Sequence, residues 1–155
     1  MTYDKIAVTG GAGLLGNHVV KLLSNHAAVT SIDINKPVAQ NRLPVKFIEA
    51  SITNFEQMKN ALRGHDALIH LAAIPNPREA SLELTFNTNV QGAWTVMQAA
   101  EEVGIKRIVV ASSDSVFGLS YNPPDWKPRF LPVDETHATV SYTHLRAHET
   151  PEHLE

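Results

Sequence analysis

The stretch VTGGAGLLGNHVV, Val8–Val20, decides the reading of the whole chain. It places glycines at 10, 11, 13 and 16 between an apolar run, KIAVT (Lys5–Thr9), and a segment where Leu15, Val19, Leu22 and Leu23 recur at helical spacing. A strand, a glycine turn and a helix start are expected in that order. The first turn of a helix carries unpaired N–H groups and the positive end of the peptide dipoles, and glycines let an anion approach that backbone closely. A pyrophosphate suits such a cradle. A second run, AVTSID, reads as the next strand and ends in Asp33, where a carboxylate can accept hydrogen bonds from both hydroxyls of an adenosine ribose. A glycine turn that merely reverses the chain is the competing reading; the strand–turn–helix setting together with Asp33 favours a dinucleotide. Asp33 would repel a 2′-phosphate, so NAD is expected over NADP, with Lys36 and Arg42 as nearby opposing charges.

Working outward, short runs rich in Ile and Val alternate with segments of helical period. VKFIEA reads as a third strand, and Thr53 or Asn54 can cap a helix through FEQMKNALR that turns Phe55, Met58 and Leu62 one way and stops at Gly64. DALIHLAA is a fourth strand. A long helix follows from about Leu84 to Val103, with Gly104 as its stop, and KRIVVASS is a fifth strand. This alternation predicts an α/β fold: a Rossmann-type, doubly wound parallel sheet, truncated after about five strands. Beyond Gly118 the periodicity ends, and LSYNPPDWKPRFLPVDETH, with four prolines, reads as an ordered but irregular loop.

Composition narrows the possible partners. A chain of 155 residues, 43% hydrophobic, can bury one substantial core. A net charge of −3 without a basic run lacks the footprint of a nucleic-acid binder, and no apolar stretch has membrane-spanning length. A cytoplasmic protein is expected, one that uses no disulfide or thiolate because it contains no cysteine.

Four ordered segments carry a resemblance to a known family. The loop has the form T-G-x-x-G-x-x-G, and HLAA (His70–Ala73), NTNVQGAWTVMQAA around Asn89 and VVASSDSVFG ending at Gly118 follow at family-like intervals. Together they resemble the NAD-dependent epimerase/dehydratase group of extended short-chain dehydrogenases/reductases, typified by UDP-glucose 4-epimerase, over residues 3 to about 137. The resemblance implies a hydride exchange between NAD and a sugar or nucleotide-sugar carbon. It assigns Gly10, Gly13 and Gly16 to the pyrophosphate loop, the N–H groups of Leu14 and Leu15 to the phosphates, and Asp33, beside Ile34, to the ribose. Relatives usually carry Asp-Ile or Asp-Leu after the third strand to hold the adenine amino group; Ser51-Ile52 stands there instead, so a hydroxyl replaces that carboxylate or the contact is weakened. Leu71, Ala72, Ala73, Asn89 and Ser112 complete the implied cofactor set. Ser113 matches the catalytic Ser/Thr, whose hydroxyl would bond the substrate oxygen. On their own, Ser112, Ser113 and Ser115 could simply end a strand. His70 reads as a packed histidine rather than a base, His18 as a surface or packing residue, and Trp94 and Met97 as core or interface residues.

The family's proton-transfer pair, Tyr-x-x-x-Lys, has no counterpart in the sequence. Tyr142 and Arg146 share its spacing, but Arg is not a compact ammonium and Tyr142 arrives several residues early. The run VSYTHLRAHET, Val140–Thr150, instead resembles at every position the translation of a transposon adapter used in sequencing libraries. The expectation is a truncated, metagenomic reading frame: an NAD-binding domain over 1–139 and a non-native tail over 140–155, with Leu154-Glu155 compatible with a cloning scar. No metal site is assigned to His144 and His148. Without the family's catalytic helix, the fifth strand and the long helix, at Phe86, Val90, Trp94 and Met97, should be uncovered, which predicts a homodimer or higher oligomer. Two functional classes follow: an oxidoreductase or epimerase, or a non-catalytic NAD-binding module.

Overall fold

A computed structural model of the chain describes residues 3–37, 43–76, 80–117, 127–137 and 139. The chain divides into two units, Met1–Ala111 and Ser112–Glu155. The first holds all five strands, β1 (Lys5–Thr9), β2 (Ala28–Asp33), β3 (Lys46–Glu49), β4 (Ala67–His70) and β5 (Arg107–Val110), in one parallel sheet of order β3-β2-β1-β4-β5. The order reverses between β1 and β4, and ligands of open α/β sheets bind at the carboxyl ends of strands at such a reversal.

Helix α1 (Leu14–Leu23) covers one face and α2 (Phe55–Leu62) and α4 (Gly92–Glu102) cover the other. Each strand alternates between them: Ile6 and Val8 pack with Val20 and Val29 under α1, whereas Ala7, Ile32 and Leu68 pack with Met58, Leu62 and Val96. The inward stripe of α1 differs from the expected one. Gly16 and Val20 are buried with Val19 and Leu23 beside them, whereas Leu15 and Leu22 are 60% and 65% exposed. Gly16 sets this rotation, because it is the side that can touch the glycine loop.

Helix α2 starts at Asn54, whose Oδ1 accepts the Gln57 N–H at 3.0 Å, and Gly64 ends it with φ +74°. Ala61 meets Ala99 and Ala100 in the core between α2 and α4, and Lys59 pairs with Glu102 to close that seam. The expected long helix is real but not uniform. It begins two residues early, with Ser81 capping α3 (Leu82–Phe86), widens to a π turn over Asn87–Gln91 and continues as α4, which Gly104 terminates at φ +83°.

β5 pairs with β4 alone among the described residues; Val109 and Val110, which point to opposite faces, are both exposed. In the second unit His137 is buried, its Nε2 accepts the Arg129 N–H at 3.1 Å, and the Phe117 and Phe130 rings meet it edge-on. The expected domain boundary at 139/140, the tail, Tyr142, Arg146, His144 and His148 lie outside the described residues. No helix among the described residues is long and apolar enough to cross a membrane.

Candidate functional site

The glycine loop is pinned at both ends by contacts that only glycine permits. At Gly10, φ is +72° and a Cβ would lie 2.6 Å from Ala72 N and 2.8 Å from Leu71 C, so the loop presses on the chain leaving β4. The Gly10 and Gly11 N–H groups donate to Ile32 O at 2.9 and 3.3 Å, which ties the loop to the end of β2. Gly16 lies beneath it: a Cβ there would sit 1.9 Å from Gly10 O. Gly13 occupies the cap position of α1 in extended conformation and contributes no side chain, so the first N–H groups of α1, at Leu14 and Leu15, have no side-chain cap. A capping Ser or Asp would close that helix end. Here its N–H groups and dipole stay available to an anion.

Asp33 stands beside this opening. Its Oδ2 accepts the Ala12 N–H and its Oδ1 the Asn35 N–H, each at 3.1 Å, which fixes the carboxylate at the rim. Both bonds leave acceptor capacity, since an ionised carboxylate offers about four lone-pair sites. Gly10, Ala12, Gly13, Asp33 and Ile34 line one wall of a cleft of about 860 Å³. Ser51, Ile52, Leu71, Ala72 and Ala73 also line it.

Of the expected cofactor residues, Gly10, Gly13, Asp33, Ile34, Ser51, Ile52, Leu71, Ala72 and Ala73 line this cleft, whereas Leu14, Leu15, Gly16 and Asn89 do not. Gly16 supports the loop from behind. Leu14 and Leu15 expose their side chains and offer only backbone. Asn89 is not among the residues lining the cleft: its Oδ1 accepts the Ile74 N–H at 2.8 Å and its Nδ2 donates to Ile74 O at 3.0 Å. It holds the strand exit in place instead of facing a ligand. The hydroxyl of Ser51 is engaged with Thr53 Oγ1 at 2.8 Å and its N–H donates to Gln57, while Ile52 is buried in the core. Ser51 is thus poorly free to replace an adenine-binding carboxylate.

Sequence reasoning missed the wall formed by Leu84, Asn87, Thr88 and Gln91. Their spacing of three, one and three residues marks one helix face, a signal that was present. What the pattern could not show is the π turn, which adds a residue per turn locally and lets Asn89 reach Ile74 while Asn87, Thr88 and Gln91 face the cleft.

His70 ends β4 buried, with Nδ1 2.6 Å from Thr9 Oγ1, and burial pushes its pKa below the ordinary histidine value. It is a neutral, packed histidine, as its place on an apolar strand indicates. Ser112 and Ser113 belong to the second unit and are exposed; the Ser113 carbonyl accepts the Val116 N–H at 3.1 Å.

The sequence profile of the NAD dependent epimerase/dehydratase family matches residues 6–148. The chain belongs to this family. An L-arabinose 1-dehydrogenase (NAD(P)(+)) from Haloferax volcanii is 33% identical over 138 residues, covering 88% of this chain and 52% of that protein. A sterol-4-alpha-carboxylate 3-dehydrogenase from Mus musculus is 33% identical over 113 residues, covering 72% of this chain and 30% of its own length. Among solved structures, a short-chain dehydrogenase/reductase superfamily protein from Agrobacterium tumefaciens with bound NAD superposes with a TM-score of 0.70 at 30% identity, covering 88% of this chain and 39% of that one. The chain thus spans about half or less of the length of each of these epimerase/dehydratase relatives.

Proposed function

We propose that this chain binds NAD in the 860 Å³ cleft and forms the cofactor-holding part of an oxidoreductase acting on a sugar or nucleotide-sugar. The observation that carries this reading is one juxtaposition: an uncapped helix start, a glycine loop with no side chains to block it, and a fixed carboxylate, all on a single cleft at the sheet reversal. The donor set fits the group. The N–H groups of Leu14 and Leu15 suit the pyrophosphate, Asp33 suits the ribose hydroxyls, and the apolar track Leu71–Ala73 suits the flat rings. NAD, when bound, supplies a hydride acceptor. The chain's own residues position it and shield it from water along that track.

Asp33 favours NAD over NADP, because a 2′-phosphate would meet its charge at the ribose. Titration calorimetry with NAD and NADP on the full chain and on Asp33→Ala tests the reading. Saturable NAD binding, weakened at least tenfold in the variant, is the expected result, since each lost charge-assisted hydrogen bond is worth about 1.5–3 kcal/mol. Heat signals indistinguishable from dilution for both dinucleotides would overturn it.

The sugar class rests on the arabinose-dehydrogenase relative, and the catalytic assignment of Ser113 rests on the family resemblance. Turnover with a panel of aldoses and nucleotide-sugars, lost in Ser113→Ala, is the corresponding assay. A second reading is a dinucleotide-binding module without turnover. Binding without reduction of NAD by any of the panel would decide for it. Exposed Phe86, Val90 and Trp94 along one helical stretch support self-association as part of the same proposal.

A further inference from the structure

The rim of the cleft holds a charge arrangement that the glycine loop and Asp33 do not account for. Asp33 and Glu49 are register partners on the parallel strands β2 and β3, so two carboxylates stand side by side at the sheet's carboxyl end. Like charges directly opposite one another destabilise a sheet unless something answers them. Lys36, three residues beyond Asp33, supplies the answer: its Nζ lies 3.7 Å from Glu49 Oε2. Lys36 also lines the cleft, whereas Glu49 is not among the lining residues. Glu49 is Lys36's only ion-pair partner among the described residues, and both side chains are largely in solvent, 78% and 61% exposed. An exposed pair of this length is weak and easily exchanged for a better anion.

From this we infer that Glu49 adds to the discrimination that Asp33 makes between NAD and NADP, as a positioning residue acting through Lys36. The inference rests on the reading of the cleft as a dinucleotide site and specifies what selects its ligand. Glu49 works in two ways. It draws the one described cation that lines the cleft toward β3, and it adds a second negative charge beside Asp33. Both oppose a phosphate on the ribose 2′ position. Because the pair is weak, opposition is partial: NADP is disfavoured rather than excluded, and its 2′-phosphate competes with Glu49 for the same ammonium. Asp33 discriminates by direct contact, Glu49 by holding the counter-ion.

The test uses the 155-residue chain, wild type and Glu49→Gln, Lys36→Gln and the double variant, with far-UV circular dichroism to confirm that each folds. NAD and NADP are titrated calorimetrically at low and at high salt, with AMP and adenosine 2′,5′-bisphosphate as probes of the adenosine end alone. Releasing the ammonium and deleting one neighbouring charge should raise the affinity ratio of NADP to NAD roughly three- to tenfold in Glu49→Gln, as expected for exposed charges. The shift should shrink at high salt and be largely lost in the double variant. A role for Glu49 in sheet stability alone would weaken both dinucleotides together and leave the ratio unmoved. A wild type that binds NAD, with a ratio within twofold in Glu49→Gln, overturns this inference and leaves the cleft assignment standing. Failure of wild type to bind any of the probes overturns both.

Discussion

Replacing Gly16 by alanine asks whether the helix start and the glycine loop are one rigid object. A Cβ at this position would lie 1.9 Å from Gly10 O, 2.8 Å from Gly10 C and 2.8 Å from Gly11 Cα. All three atoms are backbone, so no side chain can swing away, and relief requires moving the first turn of α1 from the loop by about 1 Å. Overpacking of this kind costs about 1–3 kcal/mol, and the upper end applies where main chain must shift. Alanine's better helix propensity returns up to about 1 kcal/mol, which leaves a net loss of about 2 kcal/mol. In urea denaturation the midpoint should fall by about 1 M for a domain of this size. Gly64→Ala is the control: nothing lies within 4 Å of its Cβ, and only the strain of φ +74° applies, about 1–2 kcal/mol. The two variants therefore resemble each other in stability but not in binding. Gly16→Ala should lose NAD affinity more than tenfold, because it displaces the N–H groups of Leu14 and Leu15; Gly64→Ala should keep it. A Gly16→Ala protein with wild-type stability and wild-type affinity would refute the packing argument.

Other expectations concern the elements around the loop. Asn89→Leu removes both hydrogen bonds to Ile74 and should cost about 2–4 kcal/mol, with hydrogen exchange at the Ile74 amide accelerating more than at the β1 amides. His70 has its pKa lowered by burial, so the unfolded chain binds a proton where the folded chain does not. Its contribution is intact above the ordinary histidine value of about 6.5 and is lost as the pH falls from there toward the folded pKa. Denaturation at a series of pH values should show this slope in wild type and a shallower one in His70→Asn; equal slopes would count against it. Trp94 is 64% exposed, so Trp94→Lys should leave the unfolding free energy within about 0.5 kcal/mol of wild type while lowering the mass average in sedimentation. An unchanged sedimentation profile from a protein that does self-associate would place its contact elsewhere.

Most of the sheet was legible because its signals are local. β1, β4 and β5 are short apolar runs close to Gly10, Gly64 and Gly104, and Asn54, Gly64 and Gly104 punctuate the helices where their chemistry requires. The loop and Asp33 were legible for the same reason: their spacing along the chain is short, and the strand–turn–helix context brings them together. Two features were not. The buried stripe of α1 is chosen by Gly16 touching Gly10, a contact that outranks the leucine pattern. The task of Asn89 depends on a π turn and on an amide partner 15 residues away, and neither leaves a trace in hydrophobic periodicity.

The pairing of Asn89 with Ile74 has a consequence for how such a cleft can be altered. One side-chain amide engages both main-chain groups of residue 74 and makes no use of its side chain, which lines the cleft. Position 74 is therefore a socket whose mounting is independent of what is plugged into it. Isoleucine there can be exchanged for a larger, smaller or polar residue while the track from Leu71 keeps its course. The wall can be re-tailored to a different guest without redesigning the frame.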